Sequence, residues 1–115
     1  MRLKSAIWVA AYIRRCQVAG AFAAMRRRGA EDAGAIFVKL NLLNGTGELF
    51  GPAPQSLFED AHPSDRAFTR CLGATPVAEE KIEERLLREV RFDSDVWILE
   101  VEDRTGRHFL DNVIS

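Results

Sequence analysis

Apolar residues recur through the first twenty positions at helical spacing, but on two sides rather than one. Between Ser5 and Gly20, the residues Trp8, Val9, Tyr12, Ile13 and Cys16 gather at 100° per residue into one broad stripe. Ile7, Ala11 and Val18 form a second stripe, with Arg14 and Arg15 on either side of it. Ser5 suits the cap of such a helix, and Gly20 suits the left-handed residue beyond its end. A helix that is apolar nearly all round is either deeply buried or meets something on two sides. Residues 3–9 also contain Ile-Trp-Val, which favours a strand, so both conformations stay open for the first turns.

The pattern then changes to a period of two. Residues 21–28 read as a strand and the Gly29–Gly34 stretch as the loop after it. In residues 35–43, Ile36, Val38, Leu40 and Leu42 alternate with Phe37, Lys39 and Asn41, which puts the first set on the core face. Asn44-Gly45 predicts a type I′ hairpin into a return strand through Glu48, Leu49 and Phe50. Pro52 and Pro54 end that strand. A polar loop over 52–66 and a short strand over 67–72 follow. Thr75-Pro76 is expected to open a second helix, with Ala78, Ile82, Leu86, Leu87 and Val90 on its apolar face. Its glutamates cluster at the start and Arg85, Arg88 and Arg91 at the end, as the helix dipole favours. A last strand covers 96–102. The sum is a single α+β domain over 1–115: a mostly antiparallel sheet of about five strands with two helices packed on one face.

Charge divides this domain. The first 28 residues hold seven basic side chains and no acidic one, whereas all 17 carboxylates lie beyond them. Such a front end either pairs with its own acidic body or waits for an anionic partner. The apolar run at residues 6–13 is closed by Arg14-Arg15 and falls well short of a membrane span. No signal-peptide pattern follows it, so the cytoplasm is the expected location. Two cysteines, Cys16 and Cys71, read as thiols rather than a bridge.

Four segments add a resemblance. Arg14-Arg15-Cys16, Gly34-Ala-Ile-Phe-Val-Lys39, Gly51-Pro-Ala-Pro54 and Gly106-Arg-His-Phe-Leu110 occur in an order and spacing similar to an alphaproteobacterial family known as domain of unknown function 1491. The resemblance covers nearly the whole chain. It implies a stand-alone bacterial protein and brings no activity with it.

No phosphate-binding glycine loop, serine nucleophile elbow or paired-cysteine metal motif is present. His62, with Glu59, Asp60 and Asp65 near it, matches no closed metal site. Cys16 lies on the main apolar stripe and Cys71 in a strand, where inert thiols are common. No catalytic, cofactor or metal residue is therefore assigned, and the expectation leans away from an enzyme. Two surfaces remain. The second stripe of the first helix, Ile7, Ala11 and Val18 with Arg14 and Arg15, has the make-up of a small apolar patch with a charged rim, and a second copy of the chain would cover it. The expected function is a non-catalytic protein-interaction module acting as a homodimer. Alternatively, Arg26 and Arg28 share one face of their strand and, if Phe37 and Lys39 of the adjacent strand face the same way, form a patch that binds nucleic acid, unless those arginines pair with acids such as the glutamates of the second helix or Glu31 and Asp32.

Overall fold

A strand that is buried on both sides lies inside a sheet with both faces covered, and two segments of this chain are buried in that way. In the computed structural model, which describes residues 3–54 and 66–114, the elements run α1 (Ser5–Val18), β1 (Phe22–Arg27), β2 (Ile36–Asn41), β3 (Thr46–Pro52), β4 (Phe68–Arg70), β5 (Val77–Ala78), α2 (Glu79–Phe92) and β6 (Trp97–Glu102). The strands form one sheet in the order β1-β6-β2-β3-β4, with β5 pairing β3 off that path. The two doubly buried strands, β2 and β6, are neighbours at its centre and run parallel. The other strand pairings are antiparallel. The α+β class with a mostly antiparallel sheet is therefore the observed one, with six strands instead of about five.

The helices are placed differently from expectation. Ile36, Val38 and Leu40 of β2 and Trp97, Leu99 and Val101 of β6 pack with Val9, Tyr12 and Cys16 of α1. Phe37, Leu49 and Ile98 pack with Ile82 and Leu86 of α2. Because successive residues of a strand point to opposite faces, the helices lie on opposite faces of the sheet, not on one. The second set of β2 residues is thus a core face too. The first two strands are not neighbours either. β6 sits between β1 and β2 because its apolar residues fill both layers, leaving the alanine-containing β1 at the edge.

Local structure follows from where backbone groups find partners. Ser5 is the first residue of α1 rather than its cap. Its hydroxyl donates to the Gly34 carbonyl at 2.7 Å, and it is fully buried. The free N–H groups of Ser5 and Ala6 bond to the carbonyls of Asp32 and Glu31, each at 3.0 Å, so the loop before β2 does the work of a cap. The hairpin between β2 and β3 has positive φ at Leu43 and Gly45, not at Asn44 and Gly45, and Leu42 N–H bonds to Thr46 O at 3.1 Å. It is one residue wider than a type I′ turn. The second helix starts at Glu79, after β5, and not at Thr75-Pro76.

Residues 103–114 cross the α1 side of the sheet without regular structure. Tyr12 donates to the His108 carbonyl at 2.6 Å and Arg15 to the Phe109 carbonyl at 2.6 Å. Beyond them, Phe68 N–H bonds to Asn112 O and Ile114 N–H to Phe68 O, both at 2.8 Å. A parallel bridge joins Phe68 to Val113. The outer side of β4 is thereby covered.

Candidate interaction surface

Helix α1 is buried on one side and open on the other. Val9, Tyr12 and Cys16 are at most 3% exposed, whereas Ile7 and Val18 are 53% and 79% exposed. Ala11 and Arg14, between them on the same outward stripe, are exposed as well. Arg15 is separated from this set. Its guanidinium reaches the Phe109 carbonyl and lies 3.4 Å from Asp111, so it holds the C-terminal segment instead of rimming a patch. The outward stripe is Ile7, Ala11, Arg14 and Val18.

The basic patch does not assemble. Phe37 and Lys39 are 6% and 4% exposed, because α2 covers the strand face expected to be open. The Lys39 ammonium donates to Glu79 Oε1 at 2.9 Å and to Glu83 Oε2 at 2.7 Å. Arg26 forks onto Glu83 at 2.8 and 2.7 Å and reaches Glu100 at 3.1 Å. Arg28 lies apart from them, its guanidinium 5.2 Å from the Trp97 ring centre. The basic front end is met only in part by its own body: Arg26 pairs with Glu83 and Glu100, Lys4 with Asp32 and Arg15 with Asp111, whereas Arg27 bonds to carbonyls and Arg28 lies over a ring.

These contacts set the charges. Burial would push the Lys39 ammonium down, but its hydrogen bonds to Glu83 and Glu79 outweigh this and raise its pKa. The Arg26 hydrogen bond, with Lys39 behind it, holds the Glu83 carboxyl at about 2. Every member of the cluster is paired, so it reads as a clamp between α2 and the sheet.

The remaining reactive groups are dispersed. Cys16 and Cys71 are free thiols in the packing layers on opposite faces of the sheet. Burial pushes both thiols up, which disfavours the nucleophilic thiolate. His108 accepts from the Leu110 N–H through Nδ1 at 2.9 Å and stands edge-on to Phe50. The loop acids and His62 lie outside the described residues. Among the described residues, no group of three or more His, Cys, Asp or Glu side chains could hold a metal ion. No helix among them is long and apolar enough to cross a membrane.

One feature of the surface went unmarked in the sequence. Phe22 and Met25, on opposite faces of β1, are 59% and 43% exposed. The signal is Phe22-Ala23-Ala24-Met25, where each face of the strand carries one large apolar residue and one alanine. Leu87, expected on the apolar face of α2, is also exposed at 54%, since Ile82 and Leu86 already define the buried direction.

The fold is thus a small α+β domain whose mixed sheet has one helix on each face, with exposed large apolar side chains on the N-terminal helix and strand (Ile7, Val18, Phe22 and Met25) and on the second helix (Leu87 and Phe92). The chain belongs to a family described as protein of unknown function (DUF1491), whose model matches residues 3–111. It is similar to a DUF1491 family protein from Caulobacter crescentus in its crystal structure, with 38% identity, TM-score 0.80 and all of both chains covered. An NMR structure of a Caulobacter crescentus DUF1491 protein superposes with TM-score 0.79 at 38% identity, covering 100% of this chain and 99% of that one. A protein from A. tumefaciens, solved in solution, is 46% identical with TM-score 0.78, over 96% of this chain and 93% of that one. No curated protein matches the chain.

Proposed function

We propose that this chain is a non-catalytic protein-interaction module that acts as a homodimer, with its N-terminal helix–strand unit as the contact region. The observation that carries this reading is the exposure of large apolar side chains there: Leu3, Ile7, Val18, Phe22 and Met25 are each at least 43% exposed. Their concentration in one unit suits a protein interface. The pairing of Arg26 and Lys39 with Glu79, Glu83 and Glu100 supports it further, because it withdraws two of the three cations of the expected nucleic-acid patch.

Light-scattering mass on a sizing column tests the homodimer. The expected result is twice the 12.9 kDa chain mass, with a protein-like 260/280 nm ratio. A monomer at every concentration overturns the reading. The double variant Ile7→Glu/Val18→Glu then asks what the outward stripe does: it yields folded monomers if the stripe meets the second copy, and dimers if the stripe is left for another protein.

A further inference from the structure

The two ends of the sheet are finished differently. At one end the C-terminal segment bonds to Phe68 and covers β4. At the other end is β1, six residues long and paired on its inner side alone with β6. Among the described residues nothing pairs with its outer side. An uncovered edge strand offers a row of N–H and C=O groups whose natural partner is another strand.

We propose that β1 joins two copies of this chain, pairing antiparallel with β1 of a second copy about a twofold axis, so that one sheet runs through the dimer. This rests on the homodimer reading above and names the contact.

Three observations support it. First, charged side chains usually keep a sheet edge from pairing, and here they are turned away. Arg26 is drawn onto Glu83 at 2.7 Å. Arg27 donates to the carbonyls of Ser94 and Val96 at 2.9 and 2.7 Å, and Arg28 lies over Trp97. All three fold back on their own subunit. The bulge between Met25 and Arg27 ends the regular stretch and leaves residues 22–25 for pairing.

Second, the centre of that stretch is Ala23-Ala24. Around a twofold axis through an antiparallel pair, matching pleats require one residue to face its own copy. Alanine allows this without a clash, while Phe22 and Met25 fall to either side and gain cover.

Third, α1 packs more closely on β1 than on any other strand. Trp8 leans toward Phe68, with ring centres 5.4 Å apart, and Arg15 toward the C-terminal segment. The opposite flank, Ala6, Ala10, Ile13 and Gln17, therefore overhangs β1. Its small residues permit two α1 helices to lie side by side above the joined strands, with the Ile7–Val18 stripes outward on the dimer.

The test is Phe22→Lys/Ala24→Lys. In the folded monomer the new lysines face Glu102 and Glu100 across β1 and β6, which favours the native fold. In the paired dimer either register sets like charges directly opposite one another. The expected result is a folded monomer, with Ile7→Glu/Val18→Glu still dimeric. Amide exchange is the second readout: alternate β1 amides are protected in the wild-type dimer and exchange at least tenfold faster in the lysine variant. A wild-type monomer overturns the homodimer itself. A wild-type dimer that survives both lysines, or whose outward β1 amides exchange freely, leaves the homodimer standing and overturns the β1 contact. Should both variants dissociate, the amide pattern of the wild type decides.

Discussion

The Lys39 ammonium lies 2.7 Å from Glu83 Oε2, joining the central strand of the sheet to the second helix. Lys39 is 4% exposed, and Arg26, from the edge strand, binds the same carboxylate. A single glutamate thus ties together β1, β2 and α2. The acidic body and the basic front end meet at this point through Arg26.

Removing Lys39 should be costly because a cation at the sheet surface under α2 leaves two carboxylates facing each other. Lys39→Ala is expected to lose about 3 kcal/mol in urea denaturation, below the upper range for a broken buried pair because Glu79 and Glu83 reach solvent. Lys39→Met keeps the aliphatic stem against Leu49 and Phe37 and should lose about half as much. Equal stability of all three proteins would remove the clamp from the account.

The pH dependence has two windows. Glu83 is held at about 2, against 4.5 for an unperturbed carboxyl. A depressed carboxylate stabilises the fold fully above 4.5, and this contribution is lost as pH falls toward 2. His108 titrates higher. Burial lowers its pKa from 6.5, with the Arg70 charge acting in the same direction and Glu48 against it. The unfolded chain therefore takes up this proton first, and stability declines as pH falls below about 6.5. Thermal midpoints should drop in both windows. Glu83→Gln reduces the loss in the lower one, to which Asp103, held well below the usual carboxylate range by its hydrogen bonds to Arg107, also contributes, and His108→Asn, which retains an acceptor for Leu110 N–H, flattens the upper one. An unchanged profile in either variant would assign the loss to other groups.

The thiols should be slow to react. Cys16 has no exposed surface, and burial raises both thiols. A disulfide reagent at neutral pH is expected to modify the half-buried Cys71 slowly, and Cys16 only on unfolding. Fast labelling of Cys16 in the native protein would mean that α1 lifts from the sheet, and would reopen nucleophilic chemistry.

The periodicities found most of these elements because they are local. Helix α1, strand β2 and strand β6 are visible in the spacing of their apolar residues. Which face each helix covers is not local. Phe37 and Lys39 look like a solvent face until α2 is known to cross it, and only the parallel pairing of β2 with β6, from opposite ends of the chain, determines that crossing. The same gap hid the edge position of β1. Its alanines and its two exposed apolar residues are legible, but the strand order that makes them an edge is not. Arg15 departs from the rim for a related reason, since its partners, Phe109 and Asp111, lie far along the chain, the nearer of them 94 residues away. The outward positions Ile7, Ala11, Arg14 and Val18 are legible, because exposure on a helix follows from the residues that are buried on it.

Arg15 and Tyr12 offer a way to loosen one end of the sheet without touching its centre. Both hold the C-terminal segment through carbonyls, at His108 and Phe109, and that segment in turn completes the outer side of β4. Tyr12→Phe keeps the ring stacked on Trp8, 5.1 Å away, and removes one hydrogen bond, a loss of about 1 kcal/mol. Arg15→Ala removes a charged donor and should lose a similar amount. The distinguishing readout is local. In either variant the amides of Phe68 and Ile114, which close the segment against β4, should exchange faster, while those of β2 stay protected. With the segment released, β4 becomes a second open edge, so the double variant is expected to self-associate at high concentration. Exchange that accelerates equally in β2 would show that the segment is part of the cooperative core rather than a separable strap.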